Sequence, residues 1–202
     1  MKIIGLTGGS GSGKGAVGKI LATIGIPTID TDAIYREMTE TDSPCLRALV
    51  AEFGNDIISE SGTLNRKALA EIVFSGNGAD ERRASLNKIS HKFILNETRR
   101  RLNEFRDQGY RFAVVDAPVL FESGFEKECE VILCVTADKD VRIARIMQRD
   151  HISESMALIR VDSQMSDDEI IARSDYLIVN NGDLKSLDIS VKDTIRQIKM
   201  NK

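Results

Sequence analysis

The segment Gly8-Gly9-Ser10-Gly11-Ser12-Gly13-Lys14 constrains this chain more than any other. It follows directly on a short apolar run, Lys2–Thr7. It leads directly into a helical pattern in which Val17, Ile20, Leu21 and Ile24 recur at spacings of three and four. Gly25 is a natural stop, and Ile26–Ile29 reads as a second strand. A strand–loop–helix–strand unit predicts a parallel sheet, because parallel neighbours need a crossover connection. Glycines let successive backbone N–H groups point into one concavity, the helix N-terminus adds positive potential, and Lys14 supplies a full charge. The spacing predicts a cradle for the polyphosphate of a nucleoside triphosphate.

The motif departs from its usual form at one place. After the lysine the pattern calls for Ser or Thr, whose hydroxyl ligates Mg²⁺. Here the residues are Gly15 and Ala16. Ser12, Asp116 or a water is left to complete a metal shell, while a cradle of backbone N–H groups and Lys14 survives. A rival pattern shares these glycines: Gly13-Lys14-Gly15-Ala16-Val17-Gly18 fits G-x-G-x-x-G, with Asp30 at the end of the second strand. A nicotinamide-binding redox domain would follow from it. In that fold the first glycine lies in the turn right after the strand, whereas the stretch Gly8–Gly13 intervenes here.

Acids and arginines add candidates. Asp30-Thr31-Asp32 ends the second strand, with Arg36 four residues after Asp32. Carboxylates at that sheet edge can take a proton from an acceptor hydroxyl or help hold Mg²⁺. The same residues suit an ordinary helix N-cap. Val114-Val115-Asp116-Ala117-Pro118-Val119-Leu120-Phe121-Glu122 brings a buried strand to an acid. Arg142, Arg145 and Arg149 share one helix face, and Arg160 lies on the next helix. Such arginines can neutralise transition-state charge, or form a solvated face paired with Asp138 and Asp150. His91, beside Lys88 and Lys92, could meet an anionic acceptor or sit on a plain surface.

The rest of the chain reads as one α/β protein of 202 residues. Residues from Ala33 to Phe105 are mostly helical by pattern, with Asn65 as N-cap for Arg66–Phe74 and a long helix over Asp80–Phe105. Strands return at Arg111–Asp116, Glu130–Val135 and Tyr176–Val179, with helices at Asp138–Arg149, Ser153–Ser163, Asp167–Ser174 and after Gly182. A net charge of −3 argues against wholesale nucleic-acid binding. The longest apolar runs, such as Val131–Val135, are strand-sized, so no membrane span is expected. Met1-Lys2-Ile3-Ile4-Gly5 reaches glycine and lysine too early for a secretory leader. Cys45, Cys129 and Cys134 have no partners at disulfide or zinc spacing, so a reducing, cytoplasmic compartment is expected.

Taken together, the ordered segments resemble the dephospho-CoA kinase family, P-loop kinases related to the nucleoside monophosphate kinases. The resemblance rests on Ile4–Lys14, on Gly25-Ile26-Pro27 running into Asp30-Thr31-Asp32 with Arg36, and on Leu86-Asn87-Lys88-Ile89-Ser90-His91. It continues in Val115–Glu122, Arg145–Asp150, Arg160 with Ser163-Gln164-Met165, and Ser174–Gly182. It implies a P-loop core with a parallel five-stranded sheet, built from residues 1–32 and 111–202. A helical lid over about 138–174 and a helical CoA-binding lobe over 33–110 complete it. The implied reaction is γ-phosphoryl transfer from Mg-ATP to the ribose 3′-hydroxyl of dephospho-CoA, with Mg²⁺ as cofactor.

By position, the resemblance makes Asp32 the general base, with Lys14 bridging the β- and γ-phosphates and Arg145 reaching the ATP phosphates. Gly9, Ser10, Gly11, Ser12, Gly13, Lys14, Gly15 and Ala16 would surround the nucleotide phosphates, and Asn180 would lie near the adenine. Arg36, His91, Asp116 and Glu122 would line the acceptor side. Three departures stand out: Gly15 and Ala16 replace Ser-Thr, Lys92 stands where proline is usual, and Ile170 and Ile171 replace a basic pair. Gly15 leaves room for a nucleotide- or CoA-binding regulatory protein with little kinase activity, and a kinase for another acceptor is a closer rival.

Overall fold

The computed structural model describes residues 1–201. In chain order the elements are β1 (Lys2–Thr7), α1 (Lys14–Thr23), β2 (Thr28–Asp30), α2 (Thr31–Thr39), α3 (Pro44–Phe53), α4 (Arg66–Phe74) and α5 (Ala79–Asp107). There follow β3 (Phe112–Asp116), β4 (Val131–Thr136), α6 (Lys139–Asp150), α7 (Glu154–Asp162), α8 (Asp167–Ala172), β5 (Tyr176–Val179) and α9 (Leu184–Met200). The chain divides into two compact units, residues 1–29 with 104–202, and residues 30–103. Helix α5 continues from the second unit into the first.

The first unit carries a five-stranded sheet in the order β2-β3-β1-β4-β5. β1 runs parallel to β3 with Leu6 opposite Asp116, and parallel to β4 with Thr7 opposite Cys134; β5 runs parallel to β4. Near-continuous apolar runs such as Val131–Val135 suit strands covered on both faces. Ile4, Leu6, Val114, Leu133 and Val135 are buried in one cluster with Val17 and Leu21 of α1. The same cluster takes Leu187, Val191, Ile195 and Ile198 of α9, whose spacing of four, four and three makes one apolar stripe. The α/β reading with a five-stranded sheet is what the structure has.

The second unit is helical around Cys45, Leu46, Leu49, Ile57, Leu69 and Val73. Its helices start where short polar side chains replace missing backbone acceptors. Ser43 Oγ accepts from Leu46 N–H at 3.0 Å with Pro44 next, and Asn65 Oδ1 accepts from Ala68 N–H at 3.1 Å. Asn65 therefore caps Arg66–Phe74 as the pattern predicts. Between α3 and α4 the chain departs from the helical expectation. Asn55–Ile57 is a 3₁₀ turn and Ile58 bridges antiparallel to Leu64. Hydroxyls account for it: Ser59 Oγ bonds Thr63 Oγ1 at 2.8 Å and closes the turn locally, where a helix would have needed those groups turned outward. Among the described residues no helix is long and apolar enough to cross a membrane.

Candidate active site

The loop after β1 closes onto the first turn of α1 as a compact cradle. Ser12 N–H donates to Gly9 O at 3.1 Å, and Ala16 N–H donates to Gly13 O at 2.9 Å. Gly13 is the N-cap of α1 at φ 95°, and a Cβ there would run into the Asn180 amide nitrogen. Gly11 sits at φ 80°, and a Cβ there would lie 2.5 Å from Arg142 O. Both positions therefore admit only glycine, by conformation and by space.

Lys14, the first residue of α1, pairs through Nζ with Asp116 Oδ1. The side chains are 15% and 9% exposed, so the pair is shielded from water. Asp116 ends β3 in register with Leu6 of β1, which puts an acid at the carboxyl edge of the central strands. Ligands bind at that edge in open parallel sheets.

Asn180 holds the loop from behind. Its Nδ2 donates to Ser12 O at 2.8 Å, and its backbone N–H donates to Thr136 O at 2.7 Å. Arg145 Nη1 reaches Gly11 O at 3.4 Å and Ser12 O at 3.5 Å. Arg149 and Arg160 both turn to Asp150, and the Arg149 guanidinium beside it holds that carboxyl below its ordinary range. Arg142 is buried and bonded to the loop. The three arginines of α6 thus have three different surroundings rather than one shared solvated face. Sequence reading missed Arg142 and Gln164 as partners of the loop. The available signal was that Arg142 directly precedes Ile143 and lies four residues before Ile146, both of which are buried in the apolar stripe of α6. Glu122 is exposed beyond β3.

The remaining candidates lie in the second unit. Asp30 Oδ1 caps α2 by accepting from Ala33 N–H at 3.0 Å, and Arg36 approaches Asp30 at 3.9 Å. Asp32 is in the first turn of α2 and exposed, and His91 is half-buried on α5. The N-cap reading holds for Asp30.

Among the described residues no three His, Cys, Asp or Glu side chains form a ready-made metal set. The residues present nonetheless fit Mg²⁺, which keeps several waters and binds through one or two carboxylates plus phosphate oxygens. Asp116 is the carboxylate in place. Ser12 Oγ is buried without a hydrogen-bond partner. Nothing lies within 4 Å of a Cβ built on Gly15, so that side of the cradle is open. The three cysteines are free, and burial pushes the Cys129 and Cys134 thiols up to about 12 and about 11. Burial thus keeps these two as neutral thiols at neutral pH.

The family model for dephospho-CoA kinase matches residues 2–186. The chain belongs to the dephospho-CoA kinase family. It is 36% identical over 195 residues to the dephospho-CoA kinase of Corynebacterium glutamicum, covering 96% of each chain. Among solved structures it resembles TT1252 from Thermus thermophilus, with a TM-score of 0.81, 29% identity and coverage of 98% and 96%. It also resembles a dephospho-CoA kinase from Campylobacter jejuni, with a TM-score of 0.72, 25% identity and full coverage of both chains. Membership of the family removes the nicotinamide reading.

Proposed function

We propose that this chain transfers the γ-phosphoryl group of ATP to the ribose 3′-hydroxyl of dephospho-CoA, the last step of coenzyme A synthesis. The observation that carries the reading is the Gly8–Lys14 cradle, with Lys14 held at Asp116, in a chain that matches the kinase family from residue 2 to residue 186. Asp32 takes the proton of the 3′-hydroxyl as that oxygen bonds to the γ-phosphorus. The bond to the bridging oxygen breaks and ADP leaves. Lys14 and Arg145 offset charge on the phosphate oxygens, and the loop N–H groups of Gly9, Gly11 and Gly13 orient them, those of Ser10 and Ser12 being bonded to Gln164 and Gly9. Asn180 fixes the loop and lies on the adenine side. Arg36, His91, Asp116 and Glu122 serve the acceptor. Asp116 and Ser12, with water, would hold Mg²⁺, and the ion would supply charge neutralisation on the phosphates. Three free cysteines, two of them buried, suit a reducing, cytoplasmic setting.

The test is ADP release from Mg-ATP with and without dephospho-CoA, with Lys14→Ala as the blank. Acceptor-dependent turnover that vanishes in the blank is the expected result. A folded protein that binds ATP yet releases no ADP with dephospho-CoA counts against the assignment, and a panel of other hydroxyl acceptors then separates a different kinase from a binding protein.

A further inference from the structure

The cradle is held from outside as well as by its own turns. Arg142 is 2% exposed, and its Nε donates to Ser10 O at 2.8 Å. Its Nη1 pairs with both oxygens of Asp167, the first residue of α8. Gln164, between α7 and α8, accepts from Ser10 N–H through Oε1 at 2.8 Å. The N–H and the C=O of Ser10 are therefore both taken by groups outside the loop. The packing is equally close. A Cβ on Gly9 would lie 2.8 Å from Arg142 Cζ, and one on Gly11 would lie 2.9 Å from Arg142 Cα. Gly11 is demanded by the Arg142 backbone, and a side chain at Gly9 would have to displace the Arg142 guanidinium.

The direction of the carbonyls gives this contact a consequence. In a trans peptide the C=O of one residue and the N–H of the next point to opposite sides. Ser10 O is drawn to Arg142, so Gly11 N–H is turned to the other side; Ser12 O is drawn to Asn180, so Gly13 N–H is turned likewise. An anion nest is a set of N–H groups held in this way before the anion arrives. A buried guanidinium is costly unless its charge is paired and its donors are used. Here the charge is paired by Asp167 and a separate donor reaches the loop. Arg149 and Arg160, which serve a plain ion pair with Asp150, are both exposed.

We propose that Arg142, anchored by Asp167 and assisted by Gln164, is a positioning residue that presets the curvature of the Gly8–Gly13 loop and thereby sets its affinity for the triphosphate. This deepens the reading of the loop as an ATP cradle and rests on it.

The experiment measures Mg-ATP affinity by calorimetry, the KM and kcat for ATP, and the melting temperature. It compares wild type with Arg142→Met, Asp167→Leu, the double variant and Gln164→Leu. Arg142→Met weakens ATP binding about tenfold, the size of one lost charge-assisted hydrogen bond, and KM carries the change while kcat moves little. The double variant removes both charges of the buried pair, so its melting temperature returns towards wild type. Its ATP affinity stays weak, because Ser10 O still has no donor. Gln164→Leu, a change at an exposed residue, weakens ATP by a smaller factor. Recovery of both stability and affinity in the double variant overturns the proposal, since Arg142 would then be structural only. Wild-type affinity in Arg142→Met overturns it too. If Arg142→Met does not fold, the double variant, which buries no lone charge, decides by the same criterion. Wild-type protein that binds no Mg-ATP overturns the cradle reading itself.

Discussion

Gly15 is the residue where this chain parts from the usual phosphate-binding pattern, and its surroundings make the departure testable. It is the second residue of α1, it is exposed, and no atom lies within 4 Å of a Cβ built there. Gly15→Ser therefore meets no clash, and it replaces a poor helix former with a better one, a gain of about 0.5 kcal/mol. It also places a hydroxyl where a Mg²⁺ ligand stands in related loops. The Mg²⁺ concentration for half-maximal turnover should fall about tenfold, the scale on which single groups around a metal change its affinity. Turnover titrated against free Mg²⁺, with melting curves alongside, checks it. An unchanged Mg²⁺ dependence would mean that water already completes the shell beside Asp116. The loop itself was legible because glycine spacing and the strand and helix that flank it are local properties. Arg142 was not: helical periodicity groups it with Arg145 and Arg149, and only the tertiary packing of α6 against the loop buries one and exposes another.

Caps and periodicity made most elements readable, since Asn65 before Arg66–Phe74 and the stripe of α9 are encoded within a few residues. The Ser59–Thr63 turn escaped because hydroxyls competing for the backbone leave no periodic trace. Charge pairing along α5 is also hidden from periodicity, and it gives the second unit a defined response to acid. Glu97 accepts from Arg100 at 2.7 Å through both oxygens, and from Arg101 Nε at 2.7 Å. Arg101 in turn bonds Glu37 of α2 at 2.5 Å. Chiefly through the Arg100 hydrogen bonds, the Glu97 carboxyl falls from 4.5 to about 2. A carboxyl depressed on folding adds stability that is present above its unfolded value and lost as pH falls through the folded one. Glu97→Gln should therefore melt below wild type at pH 7. The gap should close between pH 4.5 and pH 2, because wild type then loses the same pairing. Melting curves across that range check it, and a gap that persists at pH 2 would assign the difference to packing instead.

At the scale of the whole molecule the assigned roles fall on residues of different units: Lys14 in the first and Asp32 in the second. Nucleotide binding and proton removal should then fail independently. Lys14→Ala removes the charge assigned to the phosphates and breaks the shielded ion pair with Asp116, 9% exposed. Loss of measurable ATP binding is expected, together with a lower melting temperature, because breaking a shielded ion pair from one side is destabilising. Asp32→Asn keeps shape and removes the carboxylate charge. Asp32 is exposed, and the α2 cap is made by Asp30, so the start of α2 should be kept. The kcat should fall by about 10² to 10⁴, the contribution of a positioned general base. ATP affinity measured directly should remain that of wild type. Calorimetric ATP binding and steady-state turnover on the two variants separate the effects. If Asp32→Asn lost ATP binding in step with turnover, the acid would belong to the nucleotide site and the base would have to be sought elsewhere. If it lost neither, proton removal would fall to the solvent, as a loose phosphoryl-transfer transition state allows when the attacking oxygen gains little charge before the bond forms.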